Sequence, residues 1–573
     1  MKPELLALRT VNQYRSRDIF TYLGLRYYLE NRAARRDRWA EEVAADLRLG
    51  KSSTTYNLTY CFKEIGANGA IGHRELHIPG PNEALAEAAL LRACAVAGSS
   101  FQSSDAVFSY KLPESTDPRG IFEPYYIGYA KRHSAIANAC KTYPGSTVLY
   151  RDLRRFYPSI SHSLANQAWE DACQTSGLDR KFKRLGDRIL QDYRHVSTKS
   201  NKGIITGPMF SHLLANLVLR PLDDVMIGEF SGRYFRYVDD LVVIVKPNDA
   251  NRTDAFIKEL CGERGLEVNL TKGFEVSTDD WLVAEHDLSL PQGGPSWVSF
   301  VGGIKQLLVS NPVSHTNLEQ LFKDNGIRIV PLDYSHAVTD RSWLERFVDL
   351  ASKPWFRRKV AARTPLTITA EGLTLRALFM EKFLTACEQP VPQGGFHRKR
   401  WLQQLRYATA RLIYLADPKH LQAISQALTK VSELTEYASI FDALSSKDVT
   451  RLLPFGGNVA QAAAQPLKAL GDTIKCNIPV WIPAAVEALG VLLINGVPLN
   501  IQSAPSHDNP LWSFASWNNG AGDLTTNGNS YFRELACLHG AMDQSRHSET
   551  LATAFDPAEN LVFDAYWLGR SSS

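Results

Sequence analysis

The chain has 573 residues, of which 44% are hydrophobic and 22% charged, and its net charge at pH 7 is +4. This composition is typical of a folded, water-soluble protein of two to four domains and excludes a disordered or collagen-like chain. The eight cysteines are scattered without a CxxC pair, so we expect no zinc ribbon, redox motif or disulfide scaffold, and a cytoplasmic location fits. Residues 480–499 are the most apolar late stretch, but they include Glu487 and two prolines, which favours a buried helix over a membrane span.

In chain order, three regions with different patterns follow one another. Residues 1–50 are predicted to form a helical extension, with ten Lys/Arg and seven Asp/Glu. Residues 51–310 mix helical stretches with strand-like runs, which predicts an α+β or α/β body, and we expect α+β. From residue 335 to 573 apolar residues recur at three- and four-residue spacing, which predicts a mostly α-helical C-terminal domain. The strand-like runs are VLYRDL, YFRYV, LVVIV, EVNL and VSFVGGI.

A basic stretch lies within the predicted helical half. Residues 353–411 contain twelve Lys/Arg and three Asp/Glu, and Trp355, Phe356, Phe396 and Trp401 are interleaved with them. Such a stretch is a candidate track for a phosphate backbone and stacked bases, although a solvated helix face with ordinary core aromatics is an equal alternative. The candidate nucleic-acid contacts are Arg357, Arg358, Lys359, Arg398, Lys399 and Arg400.

Two segments carry the candidate catalytic carboxylates. Two β-rich runs flank Asp239 and Asp240, which predicts a hairpin with adjacent carboxylates at its tip. Like charges side by side repel, so an ordinary polar turn gains little from them, whereas divalent cations would neutralise them. Upstream, the hydrophobic run Val148–Leu149–Tyr150 delivers Asp152 at its end.

Further segments complete an ordered set. A glycine-containing loop, residues 203–208, leads into a helical stretch, and the segments GLEVNLTK and FVGG follow the hairpin. Upstream lie Lys63 and the run GHRELHIP. In this order and spacing the segments resemble the fingers and palm of a reverse transcriptase, with RYVDD similar to the metal-binding hairpin usually written RYADD in bacterial members.

The resemblance implies a right-hand polymerase fold, with fingers and palm over residues 51–310. It implies that Asp152 and Asp239 are the primary ligands of two Mg²⁺ ions, with Mn²⁺ as an alternative, and that Asp240 is the supporting third carboxylate. Carboxylates are the hard oxygen ligands that Mg²⁺ prefers. The implied activity is the addition of dNTPs to a 3′-hydroxyl, which needs positioning and charge neutralisation more than covalent chemistry.

The resemblance also implies a set of nucleotide contacts. Tyr157 matches the bulky residue beneath the sugar, where a ring would collide with a 2′-hydroxyl; the alternative is a palm-core aromatic. Basic side chains would clamp the triphosphate, and Lys272 would protonate pyrophosphate, the alternative for each being generic surface charge. The implied nucleotide-binding residues are Lys63, Arg74, Phe156, Tyr157, Thr206, Gly207 and Lys272.

The chain departs from most relatives before Gly207, where Ile205 and Thr206 stand in place of Pro-Gln. The usual glutamine helps position nucleotide and template, so RNA-templated and template-independent synthesis both remain open. No zinc-finger-like nuclease or RNase H pattern is recognisable. A palm followed by an extended helical C-terminal half looks most like the bacterial antiphage reverse transcriptases. That resemblance implies that the chain binds RNA or DNA, with a noncoding RNA as one candidate partner. It also implies that the chain forms a homo-oligomer and does not associate with a membrane. The alternatives are a retron-like or group II intron-like retroelement enzyme, an RNA-dependent RNA polymerase and a catalytically silent nucleic-acid-binding scaffold.

Overall fold

The computed structural model describes residues 56–66, 68–113, 121–123, 125–197, 203–287, 296–331, 363–478 and 480–503, with a few positions between 505 and 516. The predicted helical extension, residues 1–50, lies outside these ranges. Three candidate nucleic-acid contacts, Arg357, Arg358 and Lys359, lie outside them as well.

The first part of the described chain alternates helices and strands. Its elements are β1 (Tyr56–Ile65), β2 (Ile71–Pro79), α1 (Pro81–Val96), α2 (Tyr125–Thr142), β3 (Thr147–Asp152), α3 (Phe156–Ser159), α4 (His162–Gln174), α5 (Arg180–Val196), α6 (Met209–Glu229), β4 (Tyr234–Tyr237), β5 (Asp240–Val245), α7 (Ala250–Gly262), β6 (Phe274–Ser277), α8 (Thr278–Asp287), α9 (Trp297–Ser310) and α10 (His315–Asp324). This mixture confirms the predicted α+β body.

The central sheet is antiparallel, with the strand order β4-β5-β3-β6. Alternate side chains of a strand point to opposite faces of the sheet, and here each face packs into its own hydrophobic cluster. Leu149 and Val243 enter the main core with the large helices. Val148, Tyr150 and Ile244 belong to a second, smaller cluster on the opposite side, which also contains residues of α2 and α8.

The second part of the described chain is mostly helical, as predicted. Its elements are α11 (Pro365–Glu388), α12 (Gly395–Leu415), α13 (Leu421–Leu428), α14 (Thr435–Ser446), α15 (Gly457–Lys468), β7 (Ile474–Cys476), α16 (Pro483–Ile494) and β8 (Leu499–Ile501). The parallel pair of β7 and β8 was not expected. The apolar stretch of residues 480–499 forms the buried helix α16 and a turn, which confirms the alternative to a membrane span.

The C-terminal region packs on the edge of the β1-β2 hairpin. The backbone N–H of Tyr60 donates to Glu487 Oε2 at 3.1 Å, and that of Phe62 donates to Asn458 Oδ1 at 3.0 Å. These contacts satisfy donors that an open sheet edge would present to solvent or to another chain. The hairpin and the C-terminal helices therefore contact each other directly.

Two sequence predictions were wrong. The run VSFVGGI, predicted as a strand, lies within helix α9. Its buried residues Phe300, Val301 and Ile304 follow helical spacing, and the Ser296 side chain caps the helix by accepting from Ser299 N. The run EVNL also forms no strand, since Val268 makes only one isolated bridge, to Leu153.

Candidate active site

Three carboxylates meet at one end of the central sheet. Asp152 ends β3 and Asp240 begins β5, and the antiparallel register places them directly opposite each other. Asp239 precedes Asp240 in the turn between β4 and β5, which confirms the predicted hairpin. One oxygen from each carboxylate lies within 4.8 Å of the other two. This cluster has the spacing and the hard oxygen donors that a divalent metal site needs.

The cluster is electrostatically strained without a cation. Burial, and after it the charges of Asp240 and Asp152, raise the pKa of the Asp239 carboxyl to about 7. Burial also raises the pKa of Asp152, and Lys272 is the largest opposing charge there. A bound divalent cation would favour the ionised forms, because opposite charge lowers a carboxylate pKa. The donor set and its charge therefore fit a metal centre.

Neighbouring side chains orient two of the carboxylates. Asn269 Nδ2 donates to Asp152 Oδ2 at 3.0 Å, and the Asn269 backbone N–H donates to the Asp152 carbonyl at 2.7 Å. The Tyr150 hydroxyl donates to Asp240 Oδ1. Sequence reasoning gave no role to Asn269 or Tyr150, although both lie in segments that carried the resemblance. Position was the signal that could have found them, since Tyr150 lies two residues before Asp152 and Asn269 lies inside GLEVNLTK.

The hairpin tip has an unusual backbone that a buried network supports. Val238 has a φ of 56°, a left-handed conformation that a β-branched residue rarely adopts. Its N–H donates to Ser109 Oγ at 2.7 Å, and its carbonyl accepts from Arg236 Nη1 at 2.9 Å. Arg236 in turn forms a bidentate ion pair with Asp223, with both distances 2.7 Å. The arginine of RYVDD thus holds the turn that presents Asp239.

Two of the predicted phosphate clamps act electrostatically on the carboxylate cluster. Arg74, on β2, opposes the raised pKa of Asp239, and Lys272 does the same for Asp152. Lys63 lies on β1 and pairs with its neighbour Glu64 at 2.6 Å. The positive charges of Lys63, Lys272 and Arg74 all act on Glu64. The three cations therefore belong to one electrostatic neighbourhood, and phosphate contact remains a prediction for each.

The two predicted aromatic contacts differ in placement. Phe156 is buried, with 3% of its surface exposed, and lies in the main core. Tyr157 is half-buried, and its hydroxyl shares a hydrogen bond of 2.6 Å with His212 Nδ1. The His212 ring stacks on Tyr110, with centroids 3.8 Å apart and planes at 4°. Helix α6 therefore fixes the position of the Tyr157 ring, whereas Phe156 supports it from the core.

The loop before α6 packs closely on the β1-β2 hairpin. Thr206 accepts a hydrogen bond from the His77 N–H at 2.7 Å, and Ser211 Oγ donates to the Ile205 carbonyl at 2.6 Å. Gly207 has a φ of 121°, and a Cβ there would lie 2.5 Å from the His77 carbonyl oxygen. The position therefore requires glycine for both conformation and space.

We expect Gly207→Ala to destabilise the protein by about 1–3 kcal/mol, because alanine at this φ is strained and its Cβ collides with backbone. Urea unfolding measures the change. The control is Gly228→Ala in α6, where a Cβ meets open space. That change should be neutral or stabilise by about 0.5–1 kcal/mol. Equal losses in both variants would contradict the proposed contact.

The three described candidates for nucleic-acid contact all have partners within the protein. Arg398 forms a bidentate pair with Glu433, at 2.7 and 2.9 Å. Arg400 is buried, at 8% exposed, with its guanidinium 5.5 Å from the Trp281 ring centroid. Lys399 lies over the ring of Tyr150, whose hydroxyl donates to Asp240. These placements give the basic stretch a packing role in α12, and nucleic-acid contact by the six residues remains a prediction.

No family model matches this chain. A search of curated proteins finds no similar sequence either. Among solved structures the chain is similar to telomerase from Candida albicans in complex with a TWJ fragment of telomeric RNA, with 13% sequence identity, 70% of each chain covered and a TM-score of 0.26. Similarity of this size carries no argument, so the function rests on the residues of this chain. Within the described residues, no helix is both long enough and apolar enough to cross a membrane.

Proposed function

We propose that the chain is a DNA polymerase of the reverse transcriptase type that adds dNTPs to a 3′-hydroxyl. The observation that carries the proposal is the carboxylate cluster of Asp152, Asp239 and Asp240 at one end of the central antiparallel sheet. The motif order that resembles a reverse transcriptase palm supports it. A catalytically silent scaffold is a weaker alternative, because such a protein gains nothing from three mutually repelling carboxylates.

We assign each candidate side chain a separate role in the reaction. Asp152 and Asp239 would hold two Mg²⁺ ions, and Asp240 would support them. The ions would stabilise the attacking and the leaving oxygen of an in-line displacement. Arg74 and Lys63 would contact the triphosphate, and Lys272 would donate a proton to the departing pyrophosphate. The positive charge of Arg74 acts on Asp239 and that of Lys272 acts on Asp152. These interactions support phosphate binding beside the reacting atoms.

The resemblance to antiphage enzymes extends the proposal to a role in phage defence, in the cytoplasm and as a homo-oligomer. Thr206 stands where most relatives have the glutamine that helps position the template, and its carbonyl is bonded to His77 N–H. The test of the proposal therefore has to distinguish template-independent from RNA-templated synthesis. A retroelement enzyme would share the chemistry but would copy its own RNA.

Purified protein with Mg²⁺ and dNTPs tests the proposal in four arms: with a primed RNA template, with a DNA primer alone, without added nucleic acid, and with rNTPs in place of dNTPs. We expect dNTP incorporation in at least one of the first three. Sequencing the product and any copurified nucleic acid then identifies template and primer. Absence of incorporation in the first three arms, with Mg²⁺ or Mn²⁺, would refute the polymerase. Incorporation of rNTPs alone would favour an RNA polymerase.

The Tyr157 ring is the candidate barrier to a 2′-hydroxyl. We expect Tyr157→Ala to lower the preference for dNTPs over rNTPs by about tenfold or more, because the volume beneath the sugar opens. The ratio of kcat/KM for the two nucleotides measures it. Tyr157→Phe keeps the ring and loses only the hydrogen bond to His212, so it should retain the preference. An unchanged ratio in the alanine variant would remove the assignment.

A further inference from the structure

The first turn of α12 docks against the palm sheet close to the carboxylates. Phe396 stacks on Trp281, with ring centroids 5.0 Å apart and planes at 25°, and also lies 5.6 Å from Phe274. Phe396 and Trp281 are both buried. This aromatic contact anchors the start of the helix, so Lys399, one turn later, has a defined position on the sheet.

Lys399 lies directly over an aromatic ring. Its Nζ is 3.8 Å from the Tyr150 ring centroid and 5.9 Å from that of Phe274. The two rings stack in parallel, with centroids 4.6 Å apart and planes at 7°. Within the described residues, Lys399 forms no ion pair with a carboxylate. A cation over a ring face is attracted to it, most strongly when partly desolvated.

The ring connects this ammonium to a candidate metal ligand. The Tyr150 hydroxyl donates to Asp240 Oδ1, and Arg132 Nη2 donates to the Asp240 backbone carbonyl at 3.3 Å. A positive charge over a phenol ring withdraws electron density and strengthens the O–H as a donor. Burial lowers the pKa of Lys399, and the charges of Asp240 and Asp152 oppose that shift by favouring the ammonium form. Lys399 is therefore coupled to the cluster through space and through Tyr150.

We propose that Lys399 is a built-in counterion of the carboxylate cluster, which offsets part of its negative charge and, through Tyr150, holds Asp240 in place. Lys399 is a positioning residue that the C-terminal region supplies to the palm. The inference rests on the proposed polymerase function for its effect on turnover, but its effect on metal binding does not require a polymerase. Asp240, which Tyr150 holds, and Asp152, which Asn269 holds, are then both oriented by protein groups.

Removing the positive charge of Lys399 should strengthen metal binding but slow turnover. Lys399→Met keeps an unbranched apolar side chain but removes the ammonium, so attraction of the cluster for a divalent cation increases. We expect the dissociation constant for Mn²⁺ to fall by about threefold to tenfold. Turnover should fall as well, because Asp240 loses its fixed orientation. A purely structural role would weaken metal binding and turnover together.

Mn²⁺ binding to the full chain, followed by electron paramagnetic resonance titration, provides the readout that does not depend on activity. Lys399→Arg keeps the charge and stacks on the ring, so we expect Mn²⁺ binding close to that of the original chain. Tyr150→Phe removes the hydrogen bond to Asp240 without changing the charge, so turnover should fall while Mn²⁺ affinity changes less than in Lys399→Met. Lys430→Met, at an exposed position in the C-terminal region, is the matched control and should change neither quantity.

Unchanged or weaker Mn²⁺ binding by folded Lys399→Met would overturn the inference. If circular dichroism shows that this variant does not fold, Lys399→Gln carries the same test with the same criterion. Failure of the proposed function is distinguishable, because it would show as an absence of dNTP incorporation by the unsubstituted chain. Tighter Mn²⁺ binding by Lys399→Met would support the counterion even in that case.

Discussion

Replacing Asp239 and Asp240 together with asparagine is expected to reduce dNTP incorporation by about 10³-fold or more, which corresponds to roughly 4 kcal/mol of lost transition-state stabilisation. Asparagine preserves the shape of each side chain but removes the charges that would hold the divalent cations. The same substitution of Asp152 should have a comparable effect, because its carboxylate faces Asp240 across the sheet. Incorporation of labelled dNTPs at saturating Mg²⁺ measures the loss.

The matched control for this prediction is Asp249→Asn, at an exposed position after β5 that forms no side-chain cap. This change removes a carboxylate from the same region and should leave incorporation unchanged. The free energy of unfolding of the double variant should stay within about 1 kcal/mol of the original value or increase, since like-charge repulsion is relieved. Full incorporation by the double variant would refute the assignment of these residues as metal ligands.

Replacing Arg236 with methionine is expected to destabilise the protein by about 3–5 kcal/mol, because the buried carboxylate of Asp223 loses its partner. Both residues are buried, with Arg236 at 0% and Asp223 at 3% exposed. The change also removes the donor to the Val238 carbonyl, so the turn loses part of its support. Urea unfolding measures the stability, and the slope of the transition shows whether the native state is otherwise intact.

Replacing both partners distinguishes an ion pair from a simple packing loss. Asp223→Leu combined with Arg236→Met should recover part of the lost stability, because no unpaired charge remains in the interior. Arg252→Met, at an exposed position of α7, removes an arginine from a solvated surface and should cost less than about 0.5 kcal/mol. Equal costs for the Arg236 and Arg252 variants would contradict the role of the buried network.

Predictions from local pattern succeeded where one segment encodes its own structure. Two apolar, β-rich runs flank the Asp239–Asp240 pair, and they form the β4-β5 hairpin. The apolar stretch of residues 480–499, interrupted by Glu487 and two prolines, was predicted to form a buried helix and forms α16. Local pattern failed for VSFVGGI, because a short apolar run is compatible with the residue spacing of a strand and with that of a helix. The serine cap and the apolar residues that continue beyond the run decided for a helix.

The basic stretch shows the limit of arguing from composition. Its arginines and lysines suggested a surface for phosphates. In the structure, however, Arg398 pairs with Glu433, Arg400 lies against buried aromatic rings and Lys399 lies over the Tyr150 ring. Charge density along a chain does not say which side of a helix faces solvent. The orientation of α12 follows from Phe396 and Trp281, residues far apart in sequence whose packing no local pattern specifies.

The order of residues alone was enough to identify the acidic side chains and the helical nature of the second half, since turn chemistry and apolar periodicity are properties of neighbouring positions. Folding in three dimensions was needed to place Asp152 opposite Asp240, to bring Asn269 and Tyr150 onto those carboxylates, and to deliver Lys399 from the C-terminal region. Strand register and helix docking depend on contacts between distant segments, and the free energy of such contacts belongs to the packed molecule as a whole.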